Sequence, residues 1–258
     1  MGILDLFKLE GKSALVTGGG SGLGKAMSLA LAEAGADVAV CDINPETAKE
    51  VASEIEELGR TSLAVTVDVT EKDQVVRMVD ETVEAFGRLD IAVNNAGMSA
   101  GGVPAAEMVA EHWNRVMETN LSSVFICAQA EAQVMIKQGK GNIINTASMS
   151  GFIVNRSLPA TAYCTSKGGV VMMTKGLASE WAKYNIRVNA VGPGYFKTEL
   201  TRKLWSDPEK YQEINNLIPM GRIGEPQELS GAVVFLASEA SNYMTGHILV
   251  LDGGYSIW

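Results

Sequence analysis

Short apolar runs alternate with helix-spaced segments from one end of the chain to the other, and this alternation constrains the fold more than any other feature. Residues 13–17, 37–41, 63–67, 91–94, 142–146, 187–191 and 247–251 read as strands. Several are apolar almost throughout, as strands covered on both faces must be. The segments between them read as helices. Asn44-Pro45 opens one with an N-cap and a proline in the first turn, and Gly59 closes it. Thr70 is expected to cap the next, whose Val75, Val76, Val79, Val83 and Phe86 keep helical spacing up to Gly87. Parallel strands joined through helices connect by right-handed crossovers. The expected fold is therefore α/β: a doubly wound parallel sheet of about seven strands with helices on both faces. At 258 residues, without repeats or a Pro/Ser/Gly-rich linker, the chain reads as a single domain, 1–258.

The first strand runs into Thr17-Gly18-Gly19-Gly20-Ser21-Gly22-Leu23-Gly24, and a helix follows. Glycines let the backbone turn sharply and approach a pyrophosphate, which the free N–H groups and positive dipole end of the helix then hold. A glycine triplet alone is also compatible with an ordinary strand-to-helix turn. Here the second strand ends on an acid, Asp42, eighteen residues beyond Gly24, where a Rossmann-type sheet presents a carboxylate to the adenosine ribose. A carboxylate accepts hydrogen bonds from both ribose hydroxyls and repels a 2′-phosphate. Cys41, Ile43 and Asn44 flank Asp42, and Lys25 is the basic residue of the loop region. NAD is therefore the expected cofactor.

Tyr163-Cys164-Thr165-Ser166-Lys167 opens a helical segment that runs to about Tyr184, and i, i+4 spacing puts Tyr163 and Lys167 on one face. A Tyr-xxx-Lys pair is weak evidence by itself. Ser148 follows a strand fifteen residues earlier, and Asn120 lies in a helical stretch after Asn94-Asn95-Ala96-Gly97. Taken singly, Asn120 reads equally as a helix-kink residue, Ser148 as a turn hydroxyl and Tyr163 as a half-buried aromatic. Their order and spacing favour one site. Removing a hydride from an alcohol carbon requires loss of the hydroxyl proton, and a free tyrosine, with a pKa near 10, is a poor base at neutral pH. A neighbouring ammonium stabilises the phenolate. Tyr163 is thus the expected general acid/base, Lys167 its tuner, and Ser148 the donor that orients the substrate oxygen.

Together with Asp68-Val69, Pro193-Gly194 and Asp252-Gly253-Gly254, these motifs resemble the short-chain dehydrogenase/reductase family over nearly the full chain. Ser148 through Arg156 and the stretch from Asp252 onward are most similar to polyol dehydrogenases of the galactitol type, then to gluconate 5-dehydrogenases. The resemblance implies an NAD(P)-dependent oxidoreductase with Asn120, Ser148, Tyr163 and Lys167 as catalytic residues, Asn120 holding a water next to Lys167. It further implies that Gly18, Ser21, Gly22, Leu23, Gly24 and Asp42 bind the cofactor, with Asp68 and Val69 at the adenine and Asn94, Ala96 and Gly97 at a ribose. Pro193, Gly194 and Thr198 would flank the nicotinamide, and Tyr163 and Lys167 would touch the same end. Ser148, Tyr163 and Asn155 are the expected substrate contacts. Arg156 reads either as a further hydroxyl donor or as a solvated loop charge. The segment 195–222 is expected to cover the substrate. A homotetramer is implied, in keeping with Gly168 to Met173, where no side chain is charged and an outer helix face needs cover.

Composition narrows the partners. Lys and Arg number 21 against 30 Asp and Glu, a net charge of −9, which argues against nucleic acid or an anionic membrane. Cys41, Cys127 and Cys164 are odd in number and far apart, and they form no metal-ligand spacing with His112 or His247, so no metal is expected. The N-terminal residues lack the order of a secretion signal, and the longest uncharged run, 91–106, is broken by Pro104 and glycines, so a cytoplasmic protein is expected. The leading expectation is a dehydrogenase of small polyhydroxylated substrates: a sugar alcohol, ketose or sugar acid. A 3-oxoacyl-thioester or other carbonyl reductase is the alternative, and a non-enzymatic nucleotide sensor is a third reading.

Overall fold

The structure is a computed structural model that describes residues 2–99, 102–155 and 159–257. Arg156, read above as a possible substrate contact, lies outside the described residues. Seven parallel strands form one sheet: β1 (Ser13–Thr17), β2 (Asp37–Asp42), β3 (Ser62–Thr66), β4 (Ile91–Asn94), β5 (Gly141–Thr146), β6 (Ile186–Pro193) and β7 (Ile248–Leu251), in the order β3-β2-β1-β4-β5-β6-β7. The helices are α1 (Gly22–Glu33), α2 (Pro45–Glu57), α3 (Lys72–Phe86), α4 (Ala110–Met117), α5 (Ser123–Gln138), α6 (Thr161–Trp181), α7 (Arg202–Trp205), α8 (Pro208–Leu217) and α9 (Ser230–Ala237).

Successive strand side chains point to opposite faces, and two cores result. Ala14, Val16, Val38, Val40 and Val93 pack with Met27 and Leu31 of α1, Val51 and Ile55 of α2, and Val233 and Leu236 of α9. Leu15, Ala39, Ala92, Ile143 and Val188 face the other way, against Met78 and Val79 of α3, Ala128 and Met135 of α5, and Leu177 of α6. Every residue of β1 and β5 is buried, which explains why these strands read as uninterrupted rather than alternating.

Local chemistry sets the element ends. Asn44 Oδ1 accepts from Glu46 N at 3.0 Å and caps α2, with Pro45 in the first turn as expected. Gly87 closes α3 in the left-handed conformation, φ 75°. The start of α3 differs from expectation: Glu71, not Thr70, stands at the N-cap. Asp68 Oδ1 accepts from both Thr70 N (2.9 Å) and Thr70 Oγ1 (2.7 Å), and this turn occupies the hydroxyl before the helix begins.

The order of the sheet reverses between β1 and β4. Chains that leave these two strands cross to opposite faces and open a crevice at the carboxyl ends, the place where such sheets take ligands. Among the described residues no helix is long and apolar enough to cross a membrane.

Candidate active site

A cleft of about 510 Å³ occupies that crevice. At one end lie Gly18, Ser21, Gly22 and Leu23, with Asp42, Asp68 and Val69 beside them. At the other are Ser148, Tyr163, Lys167, Pro193, Gly194 and Thr198, and Ala96 and Gly97 form the middle of the floor. Most of the residues singled out in the sequence thus meet in one place, although they come from almost the whole length of the chain.

The glycine turn is tight for stated reasons. A Cβ on Gly24 would stand 1.9 Å from Gly18 O and 2.6 Å from Asn95 Nδ2, so the start of α1 packs directly on the loop. Gly18 itself adopts φ 61°, and a Cβ there would meet Ala96 Cα at 3.0 Å. Gly24 is therefore a packing residue and does not line the cleft. Asn95 stitches the floor together: its Nδ2 donates to Thr17 O and Gly18 O, while its backbone N–H donates to the Thr17 hydroxyl oxygen at 3.0 Å. Asp42 Oδ2 accepts from Gly20 N at 2.9 Å and Oδ1 from Asn44 N at 3.0 Å, which aims the carboxylate at the cleft. Lys25 is engaged elsewhere, 2.6 Å from Glu54.

At that second end, Tyr163 and Lys167 lie one turn apart on α6. Lys167 Nζ is 5.9 Å from the Tyr163 ring centroid and donates to Thr146 O at 2.8 Å. Burial lowers the Lys167 ammonium to about 8. Burial also raises the Tyr163 phenol, and the Ser148 hydroxyl pulls it part of the way back. The sequence reading expected a depressed phenol. Burial is the larger effect here, so desolvation wins. Ser148 caps the single turn after β5: its Oγ accepts from Ser150 N at 3.1 Å.

Besides Gly24, three expected residues stand outside the cleft. Asn120 is buried in a π-turn, Glu118–Ser122, with Oδ1 accepting from Met98 N at 2.7 Å and Nδ2 donating to Met98 O at 2.9 Å. It clamps the loop that carries Gly97. Asn94 turns below the floor, donating to Glu131 and Asn145. Asn155 Oδ1 accepts from Ser150 Oγ at 2.7 Å, and its side chain does not line the cleft. Conversely, Met98 lines it without having been singled out, while Phe196, expected as part of an apolar lid, and Leu200 line it from the segment 195–222. Their signal was position alone, just past the ends of β4 and β6. The segment 195–222 forms a small lobe over that second end, where Ile214 and Ile218 pack with Met149 and Tyr255. Among the described residues no group of His, Cys, Asp and Glu could hold a metal ion.

A family model described as enoyl-(acyl carrier protein) reductase matches residues 18–256. The 2-dehydro-3-deoxy-D-gluconate 5-dehydrogenase of Escherichia coli (strain K12) is 44% identical over 254 residues, 98% of each chain. The 3-oxoacyl-[acyl-carrier-protein] reductase of Thermotoga maritima is 41% identical over 97% of this chain and 100% of its own. The galactitol 2-dehydrogenase (L-tagatose-forming) of Cereibacter sphaeroides is 41% identical over 98% of each. A crystal structure of a gluconate 5-dehydrogenase from Burkholderia cenocepacia, in complex with NADP and tartrate, superposes with a TM-score of 0.94 at 39% identity and covers 100% of both chains.

Proposed function

Because the chain belongs to the short-chain dehydrogenase/reductase family, we propose that it interconverts a secondary hydroxyl and a ketone on a sugar alcohol, ketose or sugar acid, using NAD(H). One observation carries this reading: Ser148, Tyr163 and Lys167 share a cleft wall with a glycine turn and Asp42 at its far end. The spacing suits a dinucleotide laid along the floor, with its adenosine ribose at Asp42 and its nicotinamide between Pro193, Gly194 and Thr198. When bound, the nicotinamide ring supplies hydride exchange. The chain's own residues handle the oxygen and the proton. Ser148 Oγ donates to the substrate oxygen. Tyr163 Oη takes the hydroxyl proton in oxidation and returns it in reduction. Lys167, with its charge held over the Tyr163 ring, favours the phenolate and would hold the nicotinamide ribose when the cofactor is bound.

Asp42 supports NAD(H), since a 2′-phosphate beside it would meet a carboxylate and no free cation of the loop: Lys25 is paired with Glu54. The related gluconate 5-dehydrogenase described with NADP makes this the discriminating measurement. The substrate class rests on the relatives that act on sugar-derived alcohols and acids. Exposed Met172 (65%) and Phe125 (43%) on α6 and α5 support assembly into a homotetramer.

The alternative, a 3-oxoacyl-thioester reductase, has the Thermotoga relative in its favour. An acidic acyl carrier would need a basic surface at the cleft mouth. There Lys197, Arg202 and Arg222 are paired with Glu225, Glu199 and Glu228. The deciding experiment is a panel of polyols, ketoses, aldonates and acyl thioesters, read as NADH absorbance in both directions. Hydroxyl-reading pockets reject analogues lacking the hydroxyl strongly, because their polar groups are left unpaired. If thioesters or simple ketones outrun every polyhydroxylated compound, the sugar reading is wrong and the dehydrogenase reading survives.

A further inference from the structure

Beneath the cofactor floor lies a buried side-chain chain that the proposed reaction does not use. Glu131 of α5 is 0% exposed. Its Oε2 accepts from Asn94 Nδ2 at 3.0 Å, and the same amide donates to Asn145 Oδ1 at 3.2 Å. Asn145 Nδ2 donates to Thr174 Oγ1 of α6 at 3.0 Å, and Thr174 in turn donates to Val170 O at 2.8 Å. Because the Thr174 hydroxyl gives its proton to a carbonyl, it must accept from Asn145. That fixes which end of each amide faces which neighbour.

Two atoms are left over: Glu131 Oε1 and Asn94 Oδ1, both buried and both without a partner. Each is an acceptor, and they belong to the two side chains already joined at 3.0 Å. An ionised carboxylate leaves both orphaned, each with its desolvation uncompensated. One proton can remove both deficits: a protonated Oε1 becomes a donor, and Oδ1 belongs to the side chain that already bonds Oε2.

We propose that Glu131 is a positioning residue carried as a neutral carboxylic acid, paired with Asn94 by two hydrogen bonds, Asn94 Nδ2–H to Oε2 and Oε1–H to Asn94 Oδ1. The pair locks the carboxyl end of β4, and with it Ala96 and Gly97 in the cleft floor, to α5. Ionisation puts an unpaired charge beneath the dinucleotide and loosens that floor.

The surroundings agree. Burial raises the Glu131 carboxyl to about 8, while the Asn94 hydrogen bond pulls it down. The titratable groups around it are the thiols of Cys127 on α5 and Cys41 on β2, both pushed well up by burial, with Glu81 of α3 acting on Cys41 from the surface. The groups from β5 and α6, Asn145 and Thr174, are neutral. None of these can serve as a counter-cation.

The protonation itself is read without turnover, and only its kinetic consequence rests on the dinucleotide reading of the cleft. Difference infrared spectra of the whole protein, parent against Glu131→Gln, should show a carboxylic-acid carbonyl band at pH 7 that disappears as pH passes about 8. A carboxylate signature at pH 7 instead overturns the proposal. Glu131→Gln offers the same donor and acceptor to Asn94, so it should bind NADH as the parent does at pH 7 and lose part of the alkaline weakening. The comparison is between the two profiles, because Lys167 also titrates near 8. Glu131→Leu removes the acceptor and should weaken NADH binding about tenfold, read by fluorescence titration. If Leu binds NADH as well as Gln does, Glu131 positions nothing. If neither the parent nor Gln binds NADH while the acid band is present, the cofactor reading fails and the acid–amide pair stands.

Discussion

Lys167 Nζ stands 5.9 Å from the centroid of the Tyr163 ring and spends a hydrogen bond on the Thr146 carbonyl at 2.8 Å. Burial disfavours the charged form of each partner, lowering the ammonium to about 8 and raising the phenol. The pair that would move the proton is therefore uncomfortable in the folded chain, and the discomfort can be measured apart from catalysis.

Lys167→Met should abolish turnover and stabilise the cofactor-free protein. A folded pKa of about 8 against the usual 10.5 means that the unfolded chain binds more protons between those values. The parent's stability from this group thus rises with pH above about 8, and at pH 7 the buried charge carries its full cost. That gap corresponds to roughly 3 kcal/mol, and the expected gain is on the order of 1–3 kcal/mol. Urea unfolding at pH 7 tests it. A less stable Lys167→Met protein would mean that the ammonium is better solvated by its neighbours than its burial implies.

Tyr163→Phe keeps the ring under Lys167 and removes only the hydroxyl that carries the proton. Turnover should fall by at least about 10³-fold, within the range of a lost general acid/base, with NADH affinity within a few-fold of the parent. Steady-state rates and an NADH titration on the same preparation decide it. Substantial residual turnover would assign the proton to another group.

Cofactor choice should follow Asp42. The parent is expected to use NAD(H) with higher kcat/KM than NADP(H), and Asp42→Ala should narrow the ratio at least about tenfold by removing the repelling carboxylate. The variant also loses the acceptor for Gly20 N, so both cofactors should weaken somewhat. Equal efficiency with NADP(H) in the parent would refute the assignment.

The central strands β1, β4 and β5 were legible because every residue in them is buried, and a doubly covered strand has no option but a nearly continuous apolar run. The glycine turn, Asp42, Ser148, Tyr163 and Lys167 were legible because their chemistry is tied to a local context of strand end or helix face. Longer-range pairings left no local trace. Asn120 meets Met98 across 22 residues and Asn94 meets Glu131 across 37, so no window of sequence shows that either amide turns away from the cleft. Thr70 failed as a cap because it sits in the Asp68 turn, one residue ahead of Glu71 at the N-cap. Glu131 did leave a sign that went unused. It is the one charged residue between Ser123 and Ile136, a stretch of α5 otherwise made of apolar and neutral side chains.

Two glycines on helices should respond in opposite directions to the same added methyl group. Gly176 lies in the exposed interior of α6, and a Cβ there meets nothing within 4 Å. Gly176→Ala should stabilise the protein by about 0.5–1 kcal/mol, the difference in helix propensity. Gly24 opens α1 over the loop, and a Cβ there would lie 1.9 Å from the Gly18 carbonyl oxygen. That atom is backbone and cannot swing aside, so the turn must open. Gly24→Ala should cost several kcal/mol or, if the loop yields, displace Gly18 from the cleft and weaken NADH binding by at least about tenfold. Thermal melts with and without NADH separate the two outcomes. A Gly24→Ala protein with parental melting temperature and parental NADH shift would show that the helix start can slide relative to the loop, and the close packing assigned to Gly24 would be wrong.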